Sequence, residues 1–295
     1  MNVKPHSNLF QQQALWQLMH PDVREIVFQE GDSELRFFYT HTQQMGLGFL
    51  RNPPLIPYVV PTWKNKPNNP QAIARIWKGA LAQLPAVDVA EWHWHSSCGV
   101  LNVEGFETVQ HHTRLLYLQE GDLWRGLKPA VQRQIKKGKR ALEIQVGKQT
   151  QNVFNMHVAS LKRQQKKPLY TAEQLNTFIT HCYECQQGTC YTAIKNKEVV
   201  AAIAVVWDEN TTYYMAGGST DLGQAHGAMS YLLWQAIQDA QQRGCQYFDF
   251  EGSRHEGIDH FFAGFGAEKV NYTVFYKQGN WWYRLLRSIK RWFNA

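Results

Sequence analysis

Two hydrophobic periodicities alternate along the chain. Over residues 9–19, Leu9, Leu15, Leu18 and Met19 recur at helical spacing, and His20-Pro21 ends the pattern. Residues 24–29 and 35–41 read as strands joined by Glu30-Gly31-Asp32-Ser33, which is hairpin chemistry. Residues 46–60 are broken by Pro53, Pro54 and Pro57 into an extended, partly irregular segment. A polar loop over 61–70 leads to an amphipathic helix over 71–83, with Ile73, Ile76, Trp77, Ala80, Leu81 and Leu84 as its apolar positions. Strands follow over 87–95 and 108–118. Gly121-Asp122 then opens a helix with Asp122 as N-cap and Leu123, Trp124, Leu127, Val131 and Ile135 on its apolar side. Two more helices are predicted over 152–165 and 171–186, the second opened by Thr171-Ala172-Glu173-Gln174, which resembles a capping box.

The pattern sharpens in the last third. Residues 188–195 and 199–207 form a hairpin, and the second strand is apolar on both faces, as a central strand covered by helices should be. Residues 211–215 are a strand. Residues 216–227 are too glycine-rich for a regular element and read as a turn opening a helix over 228–242, which Gly244 closes. Residues 245–250 form a short buried strand that delivers Glu251, Gly252, Ser253, Arg254 and His255 into a polar loop. Phe261 to Ala267 and a strand over 271–276 complete the unit. A glycine-rich turn opening a helix, followed by a strand ending in acid, hydroxyl and base, is how α/β folds build ligand sites. The turn offers backbone N–H groups and a positive dipole end to an anion, and the strand end supplies side chains.

Four segments carry a resemblance: Gly217-Gly-Ser-Thr-Asp221, Gly227-Ala-Met-Ser-Tyr-Leu-Leu-Trp-Gln-Ala-Ile237, Arg243-Gly-Cys-Gln-Tyr-Phe-Asp-Phe-Glu-Gly252 and Phe261-Phe-Ala-Gly-Phe-Gly-Ala267. Together they resemble the second half of the FemAB-like acyltransferases of the GNAT superfamily, a group that includes the CelD/BioF-like acetyltransferase domains. The resemblance spans residues 188–276. It implies an α/β (α+β) fold of two tandem GNAT-like (acyl-CoA N-acyltransferase) units, with mixed sheets flanked by helices and a cleft where the units meet. The expected division is an N-terminal unit over 1–119, a C-terminal unit over 120–280 carrying the donor site, and a basic amphipathic tail over 281–295 that packs on the first unit. The implied activity is transfer of an acyl or aminoacyl group to an amine, either a small molecule or a peptide. Family members acting on peptidoglycan precursors often carry Phe-Lys where this chain has Phe261-Phe262. The missing lysine tells against aminoacyl-tRNA and leaves acyl-CoA as the expected donor.

Composition adds limits. Across 295 residues, hydrophobic content of 44% and charged content of 19% are globular values and exclude a disordered chain. The net charge of +7 biases the surface toward anionic partners. Arg125, Lys128, Arg133, Lys136, Lys137, Lys139 and Arg140 concentrate it on one helix, either as an anion-steering face or as a solvated one. Cys182-Tyr-Glu-Cys185, beside His181, has metal-ligand spacing, but no second pair completes a zinc site, and buried reduced thiols are expected instead. In Glu91-Trp-His-Trp-His95 the tryptophans are expected to fill the core and the histidines to face a wet groove. The N-terminal stretch has no apolar h-region, so a cytoplasmic protein is expected. In the tail, Trp282, Leu285, Leu286, Ile289 and Phe293 oppose Arg284, Arg287, Lys290 and Arg291, a stripe that docks on the domains or lies on an anionic membrane.

Direct acyl transfer to an amine needs a proton acceptor and donors for the developing oxyanion. Asp249, Glu251 and His255 are the acid–base candidates, Tyr214 and Ser253 the candidate donors, and Ser253 and Arg254 the candidate substrate contacts. The superfamily's [Gln/Arg]-x-x-Gly-x-[Gly/Ala] turn implies donor binding by Gly223, Gln224, Gly227 and Ala228, although Met229 stands where the last small residue belongs. No metal is expected. The alternatives are a binding or assembly protein on the same fold that has lost catalysis, and an aminoacyl-tRNA-dependent transferase of the peptidoglycan-bridge type.

Overall fold

A computed structural model describes residues 8–99, 103–119, 121–251 and 256–279. Contacts divide the chain into two compact units, one of Met1–Leu9 with His112–Val270 and one of Phe10–His111 with Asn271–Ala295. The tail over 281–295 lies outside the described residues.

In the Phe10–His111 unit, a short helix α1 (Gln13–Met19) precedes the hairpin of β1 (Val23–Glu30) and β2 (Ser33–Gln44), whose register runs from Val23↔Thr40 to Glu30↔Ser33. Next come β3 (Leu47–Arg51), β4 (Thr62–Lys64), α2 (Pro70–Leu81) and β5 (Val89–Trp94). Helix α2 starts where Asn69 accepts a hydrogen bond from the Gln71 N–H (2.9 Å) and Pro70 takes the first helical position. The expected alternation along β5 holds. Trp92 and Trp94 are fully buried with rings 4.6 Å apart, and Phe37 and Trp77 each approach Trp94 to 5.0 Å. His93 and His95 take the other face, partly exposed.

The other unit continues from β6 (Glu107–Tyr117) through α3 (Leu123–Gly126), α4 (Pro129–Ala141), β7 (Glu143–Gly147), α5 (Thr150–Arg163), α6 (Ala172–Glu184), β8 (Gly188–Lys195), β9 (Glu198–Trp207) and β10 (Thr211–Ser219). It ends with α7 (Asp221–Ala225), α8 (Ala228–Gln242), β11 (Tyr247–Asp249), α9 (Glu256–Ala263) and β12 (Glu268–Gln278), the last of which passes into the other unit after Val270. Its strands follow the order β6-β11-β10-β9-β8-β7, all antiparallel except β10 with β11. Strand β9 lies centrally and is buried from Val200 to Val206. Helix α5 lies on β9 and β10, while α8 packs with α4.

The structure differs from expectation at three places. The helix opened by Asp122 is two helices, because Lys128 precedes Pro129 and adopts an extended conformation (ψ 145°). Strand β7 is an edge strand with little apolar alternation, and no pattern announced it. The glycine run is not irregular from Ala216: β10 continues through Gly217 and Gly218 to Ser219. A side chain at Gly218 would collide with the Met156 carbonyl of α5, so this glycine serves close packing rather than a turn.

Candidate active site

The unit of His112–Val270 contains a place where two parallel strands part. Strands β10 and β11 pair only from Thr211↔Tyr247 to Tyr213↔Asp249. Beyond that point β10 stays with β9, and its register shifts between Tyr214 and Ala216 in a β-bulge. Aromatic rings gather there. Phe262 of α9 stacks on Phe250 (4.8 Å, 27°) and meets the Tyr214 ring edge-on at 5.8 Å. Phe262 is 4% exposed and is part of an aromatic core.

Asp249 ends β11 and is almost fully buried. Its Oδ1 accepts hydrogen bonds from the Thr113 hydroxyl and from the Glu251 N–H (2.8 Å). Burial pushes the carboxyl up to about 6, against the pull of those two bonds. Glu251 follows with φ 59°, in the left-handed region that costs a non-glycine residue ~1–2 kcal/mol. Asp249 thus fixes an unusual turn, and that turn aims the Glu251 side chain. Ser253, Arg254 and His255 lie outside the described residues.

Helix α9 is anchored by Asp259. Its carboxylate takes a bidentate pair from Arg114 Nε and Nη2 (2.7 Å each) and a third bond from His112 Nε2 (3.0 Å). The Arg114 bonds hold Asp259 far below the usual carboxylate range.

The glycine-rich turn is a separate corner. Thr220 caps α7 by accepting from the Gly223 N–H (3.1 Å), and Gly223 packs beneath the Val200 carbonyl. Gly227 has φ 70° and lies against the Gln134 carbonyl of α4. The first intrahelical bond of α8 runs from Tyr231 N–H to Gly227 C=O (3.1 Å), so the N–H groups of Ala228, Met229 and Ser230 open the helix ahead of it. Gln224 is exposed, while the Ala228 side chain is buried in the core. His226 is held below its ordinary value by lost solvent and by the positive charges of Lys195 and Lys137. Its buried Nδ1 has no hydrogen-bond partner among the described residues. Asp249 pairs with Tyr213, which stands six residues before Ser219. The acid and the turn are therefore separated along β10 by on the order of 20 Å.

Two residues at this site were invisible in the sequence. His157 of α5 reaches Gly217, and Tyr170 stacks on His157. Their only trace in the sequence is the adjacent pair Gly217-Gly218, which marks a place where something packs closely.

Among the described residues, no group of three or more His, Cys, Asp or Glu side chains is placed to hold a metal ion. No described helix is long and apolar enough to cross a membrane. Residues 128–262 match the acetyltransferase (GNAT) domain family. None of the curated proteins compared matches the chain. Among solved structures the chain is similar to FemX at 9% identity and TM-score 0.65, over 91% of this chain and 92% of that one. It is also similar to L-PGS from Bacillus licheniformis at 12% identity and TM-score 0.56, over 94% and 89% respectively. Identities this low speak for the fold alone: the chain has a FemX-like fold, and residues 128–262 within it are similar to the acetyltransferase (GNAT) domain family.

Proposed function

We propose that the chain is an N-acyltransferase that takes its acyl group from acyl-CoA and passes it to an amine on a small molecule or peptide. The observation that carries this reading is the parting of β10 and β11 at the bulge, with Tyr214 and Glu251 at the opening. The phosphates of the donor fit the N–H groups of Ala228, Met229 and Ser230, beside Lys137 and Lys195. The separation along β10 suits the extended arm that joins those phosphates to a thioester. Gly223 and Gly227 shape the turn, and Gln224 stands exposed beside it.

In this reading the amine lone pair attacks the thioester carbonyl carbon and the C–S bond breaks. The Glu251 carboxylate takes the amine proton, directly or through water, and the thiolate leaves with a proton from solvent or from a neighbouring hydroxyl. Tyr214 supports the developing oxyanion, and Asp249 acts by fixing the Glu251 turn. On sequence grounds His255 shares the acid–base assignment, and Ser253 and Arg254 the substrate contacts. The buried Phe262 favours acyl-CoA over aminoacyl-tRNA, since the relatives' lysine has no counterpart.

The test is thiol release from acetyl-CoA and longer acyl-CoAs across a panel of amines, with donor binding measured by calorimetry. Glu251→Gln should lower turnover ~10²–10⁴-fold and leave donor affinity nearly intact. A wild-type protein that neither binds an acyl-CoA nor releases thiol would refute the reading.

A further inference from the structure

The Tyr170 hydroxyl is buried and has no hydrogen-bond partner among the described residues. Buried hydroxyl groups are nearly always paired, so each exception calls for an explanation. The ring is held between Phe154, at 6.4 Å, and His157, on which it stacks at 5.4 Å and 14°. His157 is fixed in turn by its Nδ1, which lies 3.3 Å from the Gly217 carbonyl. A carbonyl only accepts, so Nδ1 carries the hydrogen. Tyr214 reaches the same residue from elsewhere: a Cβ added at Gly217 would stand 2.9 Å from the Tyr214 hydroxyl oxygen. A phenol and an imidazole thus meet at Gly217, just beyond the bulge where β10 and β11 have parted, and the second phenol, Tyr170, stacks on that imidazole. Burial, reinforced by Tyr214, pushes the Tyr170 phenol well above its ordinary value, so it keeps its proton and remains a donor.

We propose that the Tyr170 hydroxyl donates a hydrogen bond to an oxygen of the bound reactants, and that His157 is the positioning residue that holds it there. The proposal deepens the acyltransferase reading and rests on it. The chemistry recognised is a hydrogen-bond-accepting oxygen, supplied either by the thioester carbonyl of the donor or by a carbonyl or hydroxyl on the acceptor. Tyr170 makes and breaks no covalent bond in this role.

Tyr170→Phe removes only the hydroxyl. Because no described protein group pairs with that hydroxyl, the melting temperature should stay the same or rise, while kcat/KM falls by about 10-fold. Calorimetry separates the two sources of oxygen. Weaker binding of acetyl-CoA with unchanged binding of CoA assigns the contact to the thioester. A raised acceptor KM with unchanged acetyl-CoA binding assigns it to the acceptor. His157→Gln, which keeps a donor for Gly217 but loses the stack, should move the same parameter in the same direction. If Tyr170→Phe matches an active wild type in kcat, in both KM values and in acetyl-CoA affinity, the proposal is wrong. A marked fall in melting temperature would also overturn it, because the hydroxyl would then have a structural partner. A wild type with no acyl-CoA binding or turnover instead overturns the acyltransferase reading, and this proposal with it.

Discussion

The Asp249 carboxylate holds the backbone N–H of Glu251 at 2.8 Å, so one acid of the site sets the direction of the other. Asp249 does so from a buried position that pushes its carboxyl up to about 6, above the ~3.9 of an unfolded chain. The native state therefore binds the extra proton between about pH 4 and pH 6. The cost of burying the charge is absent below that window and complete above it. Asp249→Asn keeps Oδ1 as acceptor for both bonds. It should melt close to wild type near pH 4 and be more stable by about 1–3 kcal/mol at pH 7, a difference that thermal melts across this range would show.

Phe262→Lys would place an ammonium where a ring now stacks between Phe250 and Tyr214. Loss of the stack and burial of the charge should cost about 3–5 kcal/mol, with no gain of aminoacyl-tRNA use. Denaturant melts and a tRNA-dependent transfer assay check the two halves. Phe262→Leu, which stays apolar, should lose less.

Lys137→Ala with Lys195→Ala removes the two cations whose charge is felt by His226 at the α7–α8 turn. Acetyl-CoA affinity at low salt should fall by about 10-fold, and the deficit should shrink as salt rises, because screening already weakens the wild-type attraction. Calorimetry at two ionic strengths tests it. Gly227 is a poor probe of the same site. Its positive φ and its contact with the Gln134 carbonyl mean that a side chain there disturbs α4 as well as any ligand.

Arg114→Ala should lower stability by about 1–2 kcal/mol at pH 7 by removing both 2.7 Å bonds to Asp259. Asp259 is depressed in the folded state, so the stabilisation is fully present above the unfolded value of ~3.9 and lost progressively as pH falls from there through the far lower folded value. The gap should therefore begin to close below pH 4, stay partly open at pH 3 and narrow further toward pH 2, which paired melts at pH 7, pH 4 and pH 2 would reveal.

Elements whose cause is local were legible in the sequence. Helix α8 was, through its apolar spacing and the C′ glycine Gly244 at φ 86°. So was the capping box of α6, where Thr171 and Gln174 exchange bonds of 3.1 and 2.9 Å. Asp249, Tyr214 and Glu251 could be picked out because they stand near the ends of an apolar run. His157 and Tyr170 could not, since each looks like an ordinary residue until α5 is laid on β10. The same is true of Gly217-Gly218, whose meaning is set by Met156 sixty-two residues earlier in the chain. The short β11 ends at Asp249 because the left-handed Glu251 breaks the extended backbone, a conformation that no propensity scale predicts.

Strand β12 carries a consequence for synthesis. Thr273 pairs with Trp94, and Phe275 approaches both Trp92 and Trp94 to 6.2 Å, so the aromatic core of the Phe10–His111 unit is finished by residues made long after the rest of it. At ~5–20 residues per second the ribosome needs on the order of ten seconds to travel from His111 to Asn271. During that interval the nascent β5 can pair with β3 but lacks β12, and its tryptophans lack the cover of Phe275. The Phe10–His111 unit is thus begun before the other unit's strands are made and completed only once residue 271 has been passed. A ribosome stalled before residue 271 should display protease-sensitive chain over 10–111, and release of the full length should protect it.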